Sequence, residues 1–313
     1  MLRFLLQRLL AIIPVLMVVA VVVFLILRLT PGDPAAVIAG NSATNDEIER
    51  IREQLGLTKP LLVQFGIWMG NLLQGDLGYS YYLNKPVTQL VLQRIEPTLS
   101  LAVGTITIAI FVAIPLGTIA AWRMGGWLDR LLSMFSVAGF SVPIFVVGYC
   151  LIWLFALKLN WFPVQGYKRI AEGLGPWIMQ LVLPWITLST IYVALIARVT
   201  RASVSEALTE DYIRTARAKG IRESTVLLRH ALANAAVPVA TMVGIGVALL
   251  IGGVVVTETV YAIPGLGSLT VDAVLNRDFP VIQGVVLLFS LSYVLINLLV
   301  DVSYLFLDPR IRY

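Results

Sequence analysis

Residues Leu99–Ala121 read LSLAVGTITIAIFVAIPLGTIAA, a run without a single charged side chain. A helix needs about 20 such residues to cross the roughly 30 Å hydrocarbon core of a bilayer. Lipid offers no hydrogen bonds, so an isolated strand at that depth would leave its backbone unpaired, whereas a helix satisfies itself. Five further stretches have the same character: Leu9–Leu29, Leu132–Leu157, Trp177–Ala197, Ala235–Val256 and Val281–Leu307. The sequence therefore predicts an all-α polytopic membrane protein with six transmembrane helices. Pro184 lies inside the fourth, where neighbouring helices must satisfy the carbonyl that it frees.

The composition agrees. Charged residues make up 13% of the 313 and hydrophobic ones 58%, with a mean hydropathy of +0.88. Soluble domains carry about 25% charged residues, so much of this surface faces something other than water. The formal charge of +5 invites a nucleic-acid reading, but basic loops that orient a membrane protein account for it, and no nucleic acid is expected. The start, MLRFLLQRLL, superficially resembles a signal peptide. The apolar run to Leu29 is too long for one, and no A-x-A-like cleavage site follows before Pro31, so a retained first span is expected.

Basic residues set the orientation. Arg3 and Arg8 precede the first span, and Arg123 and Arg130 separate the second and third. Arg198, Arg201, Arg214, Arg217, Lys219, Arg222 and Arg229 lie between the fourth and fifth, and Arg310 and Arg312 follow the sixth. With six spans all of these fall on one side, which the positive-inside rule makes cytoplasmic together with both termini. The expected domains are an N-terminal transmembrane helix (1–30), an external amphipathic helical region (31–96), a transmembrane core (97–307) and a cytoplasmic tail (308–313).

Two connections are too long to be simple linkers. In the first, Thr44 and Glu47 have capping-box spacing, Ile48, Ile51 and Leu55 repeat at helical intervals, and Gly56 stands where a helix would end. Pro60 opens a second helix with Leu61, Leu62, Phe65, Trp68, Met69, Leu72 and Leu73 on one face. That face suits ordinary packing, a membrane interface or an external partner. In the second connection, near residues 199–236, Thr209-Glu-Asp-Tyr-Ile-Arg reads as a capped helix start and Gly220 as a stop. A second helical pattern from Arg222 carries Val226, Leu227, Leu228, Ala231 and Leu232. Two short helices meeting at a glycine make either a rigid knob for a soluble partner or a solvated basic loop.

That segment, DYIRTARAKGIRESTVLLRHALANAAVPV at Asp211–Val239, resembles the cytoplasmic loop of permease subunits of binding-protein-dependent ABC importers. In that family the loop is a coupling helix seated in a groove of an ATPase subunit. The general consensus has Glu-Ala-Ala, three residues, then Gly; here Arg214, Thr215 and Ala216 take the first three places, Gly220 the last, and the closing proline comes later, at Pro238. The version R-T-A-R-A-K-G is similar to the dipeptide/oligopeptide branch, which also includes glutathione and nickel importers. LTPGDPA at Leu29–Ala35, VYAIPGLGSL at Val260–Leu269, RDFPVIQG at Arg277–Gly284 and the ending DPRIRY resemble the same branch, so the likeness runs nearly end to end.

The resemblance implies a type I ABC importer permease fold in a bacterial inner membrane. It also implies a second homologous permease subunit, two ATPase subunits and an external substrate-binding protein, with lipid around the spans. The chain has no G-x-x-x-x-G-K-[ST] phosphate loop, so ATP and magnesium belong to the ATPases and no catalytic residue or metal site is assigned here. The implied coupling residues are Asp211, Tyr212, Arg214, Ala216, Arg217, Lys219 and Gly220. Polar groups inside spans are costly unless they face a cavity or a partner, which makes Glu258, Asn297 and Asp301 candidates for the translocation path, or else for pinning helices together. Gly244, Gly246, Gly252 and Gly253 suit close helix packing or a widened pore. Two rival classes remain. An intramembrane enzyme needs a buried acid pair or a nucleophile–base pair, and the single histidine, His230, lies outside the spans. A stand-alone secondary carrier often shows two related halves, and no internal repeat is visible.

Overall fold

A computed structural model describes residues 2–29, 35–36, 44–54, 56–80 and 82–307. The LTPGDPA motif lies largely, and the DPRIRY ending wholly, outside the described residues. The chain divides into two compact units, Met1–Glu96 with Pro264–Leu295 and Pro97–Ile263 with Ile296–Tyr313. Two long helices, α4 (Val87–Trp122) and α11 (Phe279–Leu307), contribute to both.

The first unit contains α1 (Leu2–Leu29), α2 (Asn45–Gln54), α3 (Leu61–Leu73), a two-stranded ribbon of β1 (Tyr79–Ser80) and β2 (Lys85–Pro86), and α10 (Leu266–Leu275). The capping box forms as the spacing predicts: Thr44 N–H donates to Glu47 Oε2 at 2.8 Å, and Glu47 N–H to Thr44 Oγ1 at 3.4 Å. Those donors hold the Glu47 carboxyl below its ordinary range. Gly56, at φ +63°, lets Leu57 N–H reach back to Arg52 O at 3.0 Å, a turn that a side chain would strain. Val87, Leu266, Leu269, Val281 and Val285 form this unit's core. Beside it the Ser80 hydroxyl donates to the buried Asp278 carboxyl. Burial pushes that carboxyl upward, against the Ser80 hydroxyl and the Val281 N–H that favour the charged form.

The second unit is a bundle of long helices. α7 (Leu174–Thr209) packs against α9 (Ala236–Val260) and α5 (Trp127–Ser141). Its core includes Leu101, Leu181, Leu188, Ile196, Leu250 and Tyr261. Approach is close enough that a Cβ on Gly104 would sit 2.1 Å from the Trp185 ring, and one on Gly244 2.3 Å from Val300. Close packing is therefore the role of Gly244, and of Gly253 against Leu188, whereas Gly252 faces open space.

Among the described residues, four helices are long and apolar enough to cross a membrane, or five if one bent pair counts as a single span. The second, fourth, fifth and sixth expected spans lie in α4, α7, α9 and α11, and Pro184 sits inside an unbroken α7. The third does not run straight. It breaks at Val142–Pro143 into α5 and α6 (Ile144–Leu151, continued as a π-helical turn Ile152–Lys158), bent by 104°. Proline disfavours the helical region for the residue before it, and Val142 is extended at φ −91°, ψ 121°. The first span falls in α1, 28 residues long, of which Leu10–Ile26 forms the apolar stretch with described side chains.

Candidate functional site

α7 does not end where hydropathy falls. It continues through Arg198 and Arg201 to Thr209, so the start of the expected loop is helix. Thr209 is not the cap of the next helix; its hydroxyl donates to Glu206 O at 2.7 Å. α8 (Asp211–Ala218) starts instead from Glu210, which makes no side-chain cap bond, with Asp211 in the first turn where the helix dipole favours an acid.

Gly220 ends α8. Ile221 N–H donates to Ala216 O at 3.3 Å and Gly220 N–H to Arg217 O at 2.9 Å, the paired bonds of a Schellman turn. That turn needs a left-handed residue, and Gly220 has φ +73°. Among the described residues, nothing beyond its chain neighbours lies within 4 Å of where its Cβ would be. The chain then runs through Glu223–Thr225, a π-helical turn at Val226–Ala231 and Leu232–Asn234. The wider turn spaces Val226 and Ala231 five apart, and both are fully buried.

The resulting knob has a core of its own. Ile213, Ala216, Val226, Leu227 and Ala231 pack with Val204 and Ala207 of α7 and Ala121 of α4. A fully buried Ile or Val contributes about 1.5–3 kcal/mol, so the knob is held rigidly to the ends of two long helices. Of the seven residues singled out in sequence, six come together on its outer surface. Ala216 alone is buried as packing.

On that surface Arg217 and Glu223 pair across the Gly220 turn at 2.6 and 3.2 Å. The guanidinium holds the Glu223 carboxyl below its ordinary range, and the carboxylate raises Arg217. Arg214 lies 3.3 Å from Asp211, both largely exposed. Tyr212 is 40% exposed, and its hydroxyl accepts from Asn234 Nδ2 at 2.9 Å. Asn234 Nδ2 also reaches His230 O at 2.8 Å, fixing an aromatic edge between two helical arms. Glu223 and Asn234 escaped the sequence reading because nothing local marks them; only the reversal at Gly220 brings them to α8.

A second missed feature lies two turns before the end of α7. Arg201 forms a two-pronged pair with Asp129 of α5, Nη2 to Oδ2 at 2.9 Å and Nε to Oδ1. Asp129 is 6% exposed and also accepts Gly125 N–H at 2.9 Å. This ties the Arg123–Gly126 turn to the helix that carries the knob.

The path candidates lie elsewhere. Glu258 is fully buried and accepts the Thr98 hydroxyl at 2.6 Å. Beyond it Tyr261 pairs with Thr187 at 2.7 Å. Asn297 and Asp301, one turn apart on α11, are exposed and partly exposed. The neighbouring residues Ile296, Leu299 and Val300 line an apolar groove of about 540 Å³ with Val239, Val243 and Val247. Among the described residues no three His, Cys, Asp or Glu side chains gather as metal ligands.

Comparison with known proteins gives consistent matches. The family model for the binding-protein-dependent transport system inner membrane component matches residues 113–313, and its N-terminal companion residues 1–102. The "probable peptide ABC transporter permease protein" of Sinorhizobium fredii is 53% identical over 99% of both chains. The glutathione transport system permease of Pectobacterium atrosepticum is 46% identical over the full length of both. Among solved structures, a chain of the inward-facing MetNI methionine ABC transporter superposes with a TM-score of 0.59 at 17% identity, covering 70% of this chain and 97% of that one. A likeness at that identity speaks to fold.

Proposed function

The chain belongs to the binding-protein-dependent transport inner membrane component family, and from that premise we propose that it forms half of an import pathway for di- and oligopeptides and couples it to ATPase subunits through the Asp211–Gly220 knob. It is a multi-pass permease subunit of a bacterial inner-membrane ABC importer. In this reading α1, α4, the bent α5–α6 pair, α7, α9 and α11 supply six spans, with both termini and the knob in the cytoplasm. A second permease subunit completes the path, two ATPases bind ATP and magnesium, and an external binding protein delivers the solute. The peptide-named relative at 53% identity favours peptides. Glutathione, itself a small peptide, is the second reading, on the relative at 46%.

The observation that carries the coupling proposal is the knob's construction. Its charged and aromatic surface rests on an apolar core continuous with α4 and α7, so a push on α8 has no soft joint in which to dissipate before reaching the spans. ATPase closure would move α8, α7 and, through Arg201–Asp129, the start of α5. Glu258, Asn297 and Asp301 remain the polar residues to test along the path. The test is Gly220→Trp in the whole transporter. Left-handed backbone costs a side-chain-bearing residue about 1–2 kcal/mol, and the indole would stand in the open space where a partner docks. ATP hydrolysis should continue while solute uptake is lost; unchanged uptake would sink the coupling reading.

A further inference from the structure

The α3 helix is the least explained element of the first unit. Pro60–Gly75 reads PLLVQFGIWMGNLLQG, without one Asp, Glu, Lys or Arg. The sequence placed seven apolar residues on one face, but the structure divides them. Phe65, Trp68, Met69 and Leu72 turn inward with Gln64, whereas Leu61, Leu62, Val63, Ile67 and Leu73 are exposed, Leu62 by 86% and Leu73 by 81%. Gln64 is the buried polar side chain, and its amide is satisfied by Lys59 O at 2.7 Å and Leu57 O at 3.2 Å. A helix apolar all round belongs in a core or in lipid. At about 20 Å, α3 is too short to span.

What it packs on fixes its depth. Phe65 and Trp68 lie 5.1 and 5.6 Å from the Phe24 ring of α1. Phe24 stands one helical turn before Arg28, the first charged residue after Arg8, and about 8 Å before the last residue of α1. That height is where a span leaves the hydrocarbon and where tryptophan gathers. Lys59 and Asp76 flank the uncharged run, and Gly66 and Gly70 have open space where a side chain would be.

We propose that α3 is a membrane-seated helix, embedded in the leaflet entered by the C-terminal end of α1, with its Leu62–Leu73 face against phospholipid acyl chains. The occupant is lipid rather than a soluble protein because the exposed face carries no charge, and because its inner face is anchored to a membrane span at the hydrocarbon boundary. This inference is independent of the substrate and of the coupling proposal.

The test places an environment-sensitive fluorophore at Leu62→Cys, Ile67→Cys or Leu73→Cys after the sequence's single cysteine is removed by Cys150→Ser. Each full chain, with the subunits it retains, is reconstituted in nanodiscs of phosphatidylcholine and phosphatidylglycerol. Nitroxide-bearing phosphatidylcholine and a water-soluble quencher are compared, with Glu49→Cys on α2 as the aqueous control. The α3 labels should be quenched several-fold more by the lipid-borne nitroxide, and Glu49→Cys more by the soluble agent. Soluble quenching equal to the control at all three sites would overturn the proposal. Protection from both quenchers would overturn it as well, by showing that a protein covers the face. Three reporters keep the test alive if one label disturbs folding.

Discussion

Among the short helices outside the spans, α8 and α3 are built inside out relative to each other. Each buries one face, α8 on Val204, Val226 and Ala231 and α3 on Phe24. Their outer faces differ in kind. α8 offers Asp211, Arg214 and Arg217 around Tyr212, whereas the 13 residues of α3 hold no charge and offer leucines. A helix shows on its outer face the medium or partner it meets. Charges balanced by nearby opposite charges suit a wetted protein surface, and bare leucines suit lipid.

The comparison breaks most sharply at the cores. Ile213→Ala removes a fully buried side chain and should cost about 2–5 kcal/mol. Hydrogen exchange should then speed up across residues 211–231 while α3 stays unchanged; loosening in both would mean that neither is an independent unit. Next is Arg201→Ala, which leaves Asp129 covered without its cation. Stranding a buried hydrogen-bonding group costs about 1–3 kcal/mol, and more when it is charged. Uptake per ATP should fall, and Arg201→Lys should restore only part of it, since one ammonium cannot grip both carboxylate oxygens. Equal uptake per ATP in Arg201→Ala would make the pair merely structural.

The smallest effect belongs to Arg217–Glu223. Both side chains are more than a third exposed, and such pairs are worth about 0.2–1 kcal/mol. Glu223 is held below its ordinary value, so the pair's contribution is full above the unfolded carboxyl's pKa of about 4.3 and fades as pH falls through the lower folded value. Protection of the Gly220 turn, taken as its exchange rate relative to the intrinsic amide rate at each pH, should therefore be flat between roughly pH 5 and 8 and fall under more acid conditions. A change near neutrality would point to another group.

What was legible in sequence was local. The Thr44–Glu47 box, the Gly56 and Gly220 turns and the apolar runs each declare themselves within a few residues. Hydropathy marks where lipid ends, not where a helix ends. That is why Arg198–Thr209 reads as loop yet continues α7, and why Val142–Pro143, hidden in an apolar run, breaks a span that composition draws as whole. Glu223, Asn234 and the Asp129–Arg201 pair were illegible for a different reason. The last joins residues 72 apart, and only the packing of α5 on α7 brings them together.

The claim on which the rest depends is that the α8 surface meets an ATPase. A photo-crosslinking amino acid at Tyr212, half-exposed at its centre, can be activated in native membranes and its adducts identified by mass spectrometry. The account predicts an adduct with an ATP-binding subunit, strengthened or weakened by ATP. Efficient crosslinking to lipid alone, or to no ATPase in membranes that sustain uptake, would contradict it.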